Sequence, residues 1–177
     1  MTNTGGYMKT IWFYGNDEKK LTSIAEMVGE ELINRGEFVE LIVHKEVREI
    51  LGRGLKDSKE DKSTFTDRLG FIGNLLHRND IFALIISSDA SVEDRKLVKE
   101  NYRNFIQVQT CRSESLQTNR DPLTDILLDN QPDPKTNAKK VIECLTKERL
   151  IPEDSQQVYS EDEEEEIRKR LEDLGYV

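Results

Sequence analysis

Apolar positions along this chain fall into short runs that alternate with longer helical spacings. Residues 10–14, Thr-Ile-Trp-Phe-Tyr, form an unbroken β-branched and aromatic run, as in a strand buried on both faces. Gly15 ends it, and a helical pattern is expected from about Lys20 to Arg35. Gly36 stops that pattern, and residues 38–43 read as a second strand, with β-branching favouring extension. Residues 46–51 suit a short helix, residues 56–63 a charged loop, and residues 64–78 a helix spaced through Phe65, Leu69, Ile72 and Leu76. Residues 81–86 are almost continuously apolar, the pattern of a parallel strand covered on both sides. A charged amphipathic helix over 91–102, strands over 105–109 and 125–129, and a helix over 137–149 complete the series. Strands alternating with helices predict an α/β fold of three layers, a mostly parallel central sheet flanked by helices.

Residues 150–159 read as a linker, and residues 161–174 as a C-terminal helical tail. Ser160 and Glu163 form a capping box, and Glu164–Arg168, Glu165–Lys169 and Glu166–Arg170 are spaced as i,i+4 ion pairs. Ile167, Leu171 and Leu174 make a narrow apolar stripe, and Gly175 suits the helix end. A helix this short is marginal alone, so the stripe is expected to dock, either on its own domain or on a partner. The organisation expected is a disordered N-terminal tail over 1–8, one domain over 9–151, and the linker and helix over 152–177.

Composition narrows the function classes. The 177 residues carry a formal net charge of −9, with 34% charged residues. That balance argues against nucleic acid and membrane surfaces as partners. No apolar run reaches a membrane span, and the first nine residues lack the apolar core of a secretory signal, so the expected location is the cytoplasm. Cys111 and Cys144 make neither a metal motif nor a disulfide framework, and are expected to be reduced core thiols. His44 and His77 lack metal-ligand spacing and are expected at the surface. No metal site is expected.

Strand, glycine turn and helix at residues 10–35 are the architecture of a phosphate-binding loop, which needs G-x-x-x-x-G-K-[ST]. Counted from Gly15, the second glycine should be at 20 and the lysine at 21, where the chain has Lys20 and Leu21. Only Gly15, Thr22 and Ser23 answer the pattern. Lys19 and Lys20 either replace the lysine or form the solvated first turn of the helix; the second reading fits the loop chemistry better. Asp17 and Glu18 lie where phosphates would, as a solvated loop or as an anion-repelling plug.

The chain resembles adenylylsulfate (APS) kinase, the P-loop enzyme that phosphorylates the 3′-hydroxyl of APS with ATP. The likeness rests on residues 10–15, Val-Arg-Glu at 47–49, Leu-Gly-Arg-Gly-Leu at 51–55 and Ser-Lys-Glu-Asp at 58–61. It continues through Arg-Leu-Gly-Phe at 68–71 and Arg120-Asp121, and covers roughly residues 9–151. The resemblance implies a P-loop-type fold and a homodimer. It also marks departures. The family's Asp-Gly-Asp after the second strand becomes Val43, His44 and Lys45, with Arg48 retained; its substrate motif becomes Asp61, Lys62, Phe65, Asp67 and Arg68. Pro122-Leu123-Thr124 joins Arg120-Asp121 straight to the last strand, where the family has a basic lid. Arg48, Arg53, Lys59 and Arg68 are candidates for holding an anion in the inherited cleft, or are ordinary surface ion pairs.

Three functions follow as expectations. The first is a non-catalytic homologue that binds, scaffolds or regulates in sulfate activation, with no cofactor, and with a protein partner or self-association through the tail. The second is an active kinase using ATP and Mg²⁺. The third is a nucleotide or small-anion sensor without chemistry.

Overall fold

The computed structural model describes residues 9–88, 90–102, 105–111, 121–129 and 133–151. The chain order is β1 (Thr10–Tyr14), α1 (Glu18–Asn34), β2 (Phe38–Val43), α2 (His44–Leu51), α3 (Lys59–Arg78), β3 (Ile81–Ile86), α4 (Val92–Tyr102), β4 (Phe105–Cys111), β5 (Ile126–Asp129) and α5 (Pro134–Lys147). The strands form one five-stranded sheet in the order β2-β3-β1-β4-β5. Every pairing is parallel, with Trp12 opposite Ile85 on one side and Gln107 on the other.

Two cores follow from the pleat, which sends successive side chains of a strand to opposite faces. Ile11 and Phe13 join the core of the α1 and α5 face, with Leu21, Val28, Leu84, Val108, Val141 and Leu145. Trp12 and Tyr14 join the core of the α3 and α4 face, with Phe65, Leu69, Ile85, Val98 and Phe105. The central strand β1 is therefore apolar at nearly every position, as its sequence pattern requires.

Caps explain where sequence periodicity misplaced the helix starts. Asp17 caps α1 by accepting the Lys20 amide at 3.1 Å, so the helix begins at Glu18 rather than Lys20. Ser58 accepts the Asp61 amide at 3.1 Å, so α3 begins at Lys59, inside the stretch expected to be loop. Asp133 accepts the Thr136 amide at 3.0 Å, with Pro134 in the first turn, which starts α5 three residues before the expected 137. At the end of α1, Gly36 adopts φ +84°. Its amide reaches the Ile33 carbonyl and the Glu37 amide reaches Leu32, the double bond of a Schellman ending. The predicted tail helix lies outside the described residues.

Both cysteines are free and half-buried rather than fully in the core. His44 corrects the expectation of a surface histidine. It is buried because it opens α2 directly from β2, and its ring lies 4.8 Å from that of Phe65. His77 is half-buried near the Lys9 ammonium; burial first, then that charge, lowers its pKa. No described helix is long and apolar enough to cross a membrane.

Candidate functional site

In an open parallel sheet, ligands bind outside the carboxyl ends of the strands where the strand order reverses. Here the order reverses at β1, which sits between β3 and β4, so the segment after β1 stands at that crevice, with the segments after β3 and β2 along one side of it.

After β1 the chain makes a turn of three residues, Gly15 to Asp17, and then enters helix. Gly15 is held against β4: a β-carbon there would stand 2.2 Å from Thr110 Oγ1 and 3.0 Å from the Thr110 carbonyl oxygen. The Asp17 carboxylate occupies an amide of the first turn of α1, a position where a helix N-terminus otherwise offers N–H groups to a bound anion. Glu18 reaches across the crevice. Its Oε1 lies 2.9 Å from Lys45 Nζ in α2, and its Oε2 accepts the Ser88 hydroxyl at 3.2 Å after β3.

Lys19 is exposed and Lys20 half-buried on the first turn of α1. Leu21, at the position where the loop motif places its lysine, is fully buried in the core. The Thr22 hydroxyl donates to the Glu18 carbonyl at 2.9 Å, a bond within its own helix, and Ser23 is half-buried beside it. A magnesium nucleotide requires a lysine, a free hydroxyl and open amides at this turn. The residues present there do not fit that group. Among the described residues, no cluster of three or more His, Cys, Asp or Glu side chains is placed to hold a metal ion.

The segments after β2 and β3 enclose a cavity of about 180 Å³, whose lining includes His44, Lys45, Arg48, Lys62, Phe65 and Ser87. Arg48 lies over the Phe65 ring, its guanidinium carbon 4.6 Å from the ring centre, and donates to the Lys56 carbonyl at 2.9 Å. Asp61 accepts the Lys56 amide at 2.9 Å, so the 52–58 segment is tied down at one side of the cavity. Lys62 pairs with Asp57 at 3.0 Å. Three cations against one carboxylate line a cavity with an aromatic wall, which suits an anion carrying a ring.

The four candidate cations do not converge. Only Arg48 lines this cavity; Arg68 lines a separate one with Leu51, Phe71 and Tyr102, and donates to the Leu51 carbonyl. Arg53 and Lys59 are exposed and line neither. The family resemblance marked Lys45, Lys62 and Phe65 only as departures at its motif positions, and none was a candidate for holding an anion: Phe65 also carries a core signal, and a lone exposed lysine carries no binding signal of its own.

On the β4 side, the carboxyl ends of β1 and β4 are filled by the chain itself. Arg95 and Asp121 form a buried ion pair, and the Arg95 guanidinium stacks on Tyr14 with its carbon 3.7 Å from the ring centre. The Tyr14 hydroxyl hydrogen-bonds Thr124 Oγ1, which in turn donates to Gln109 Oε1 at 2.8 Å. Burial is the main cause that pushes the Tyr14 phenol up to about 12.

Comparison with known proteins places this geometry. Residues 7–125 match the family model described as adenylylsulphate kinase. The chain is 33% identical over 116 residues to an adenylyl-sulfate kinase of Deinococcus deserti, covering 66% of this chain and 64% of the relative. It is 31% identical over 112 residues to one of Microcystis aeruginosa, covering 63% and 62%. It thus spans a little less than two thirds of each relative. Among solved structures, the Mycobacterium tuberculosis APS kinase CysC in complex with AMPPNP and APS superimposes with a TM-score of 0.68 at 20% identity, covering 79% of this chain and 98% of that one. The hexameric APS kinase from Thiobacillus denitrificans gives 0.69 at 17%, covering 81% of this chain and 29% of that one. At those identities the structural likeness speaks for the fold.

Proposed function

The chain belongs to the adenylylsulphate kinase family, and on that premise we propose that it keeps the family's scaffold without its phosphoryl transfer, acting as a binding or scaffolding protein in sulfate activation. The observation that carries this is the turn after β1, where Asp17 caps α1, Leu21 is buried and Glu18 is paired with Lys45. Phosphoryl transfer is almost all positioning and charge neutralisation. Removing one charge clamp from such a site costs about 3–4 kcal/mol of transition-state stabilisation. Here the lysine is replaced, two carboxylates stand at its entrance, and the sequence lacks the basic lid after Asp121. An ordinary kinase cycle does not survive those losses together.

A second reading has its own support. The cavity of Lys45, Arg48, Lys62 and Phe65 suits an anion held without chemistry, the role of a sensor. The active-kinase alternative rests on the names of the relatives. Self-association, and a partner role for residues 152–177, belong to the same proposal.

Thermal melting with and without MgATP separates the readings. A ligand that binds only the folded state at a hundred times its Kd stabilises by about 2.7 kcal/mol. The proposal expects no shift with MgATP up to millimolar concentration. A saturable upward shift that requires Mg²⁺ overturns it.

A further inference from the structure

Three segments meet at the crevice, and one side chain ties them together. Glu18 stands on the first turn of α1, Lys45 on the first turn of α2, and Ser88 just beyond β3. Each carboxylate oxygen of Glu18 has its own partner, Lys45 Nζ at 2.9 Å and Ser88 Oγ at 3.2 Å. Two oxygens that accept from an ammonium and a hydroxyl on different segments do what a bound phosphate or sulfate does. The Glu18 side chain is only 18% exposed, whereas Lys45 is 73% exposed, so the acid is held in the crevice and the base comes to it from solvent.

The cavity beside this bridge supplies the rest. Lys45 itself lines it, along with Arg48 and Lys62. Lys62 has Asp57 as its counter-ion, and Arg48 is engaged with the Lys56 carbonyl and the Phe65 ring. Within a chain of net charge −9, these three cations line one cavity with Asp57, and Glu18 reaches its edge through Lys45.

We propose that Glu18 is a built-in anion that closes this crevice, occupying a site which, once the carboxylate is removed, takes a free tetrahedral oxyanion. The proposal deepens the non-catalytic reading and rests on it. The site takes phosphate or sulfate, with Lys45 and Ser88 as the donors that Glu18 now engages. Neutralising Glu18 removes the competing acceptor charge while the isosteric amide keeps the side chain's volume and α1 keeps its Asp17 cap, so the fold is expected to hold.

The test is calorimetric titration of inorganic phosphate, and separately of sulfate, into the wild-type protein, Glu18→Gln and the double variant Glu18→Gln/Lys45→Met. Sodium chloride of equal ionic strength is the control. The expected result is saturable binding by Glu18→Gln about tenfold tighter than by wild type, the change given by some 1.4 kcal/mol of relieved repulsion. That gain disappears in the double variant. Equal affinity of wild type and Glu18→Gln overturns the proposal. So does a gain that survives loss of Lys45, since the anion then binds elsewhere. Melting curves without anion show whether all three proteins fold alike. The readout involves no nucleotide, so APS-dependent ATP turnover by the wild type is a separate result that bears on the family reading above.

Discussion

Gly15 packs so closely on Thr110 that a β-carbon added to it would stand 2.2 Å from the Thr110 hydroxyl oxygen. In the loop motif this glycine lets the backbone wrap a phosphate. In this chain the approach of β4 to the end of β1 is sufficient reason for it.

Gly15→Ala is therefore expected to destabilise the protein by about 1–3 kcal/mol, the usual cost of forcing a methyl group into filled space. Thr110→Ala in the same chain removes the hydroxyl and should recover part of that loss, leaving the contact with the Thr110 carbonyl at 3.0 Å. Urea unfolding of the single and double variants checks this. Additive losses in the double variant count against a direct contact.

Restoring the family's lysine should not restore its chemistry. Leu21 is fully buried, so Leu21→Lys removes aliphatic packing and buries an ammonium. A loss of about 3 kcal/mol or more is expected. Melting in the presence of MgATP should show no compensating stabilisation. A well-folded Leu21→Lys protein that gains a nucleotide-dependent shift would mean that the turn can still open around phosphates.

The buried Tyr14 sets an alkaline limit. Burial is the main cause that raises its pKa from 10.0 to about 12. With the folded-state value above the unfolded one, the contribution is fully present below pH 10 and is lost as pH rises through 12. A rise from 10.0 to about 12 corresponds to roughly 3 kcal/mol. Wild-type stability should fall more steeply than that of Tyr14→Phe between pH 10 and 12. Tyr102, whose pKa is also raised, is common to both proteins and cancels. Parallel stability curves would show that Tyr14 does not carry the effect.

The strands and most helices were legible because the core imposes them. β1 and β3 are apolar runs that only a sheet covered on both faces explains, and they pair as neighbours. Helix starts were less legible. A cap such as Ser58 or Asp17 is one residue among many polar ones, and periodicity begins only with the first buried side chain. The missing loop lysine could be counted from Gly15. The Glu18–Lys45 bridge could not, because its two residues lie on different helices and meet only through the sheet topology. For the same reason the four candidate cations looked equivalent in sequence, although only Arg48 faces the cavity beside that bridge.

The decisive assay is ADP release by the purified protein supplied with ATP, Mg²⁺ and APS, measured against a blank lacking APS. The expected result is no APS-dependent ADP above the blank, because the turn after β1 presents Asp17, Glu18 and a buried Leu21 where a kinase presents amides and a lysine. The opposite result is turnover that depends on APS and disappears in Thr22→Ala. It would mean that α1 unwinds to rebuild the phosphate loop and that the chain is a divergent enzyme.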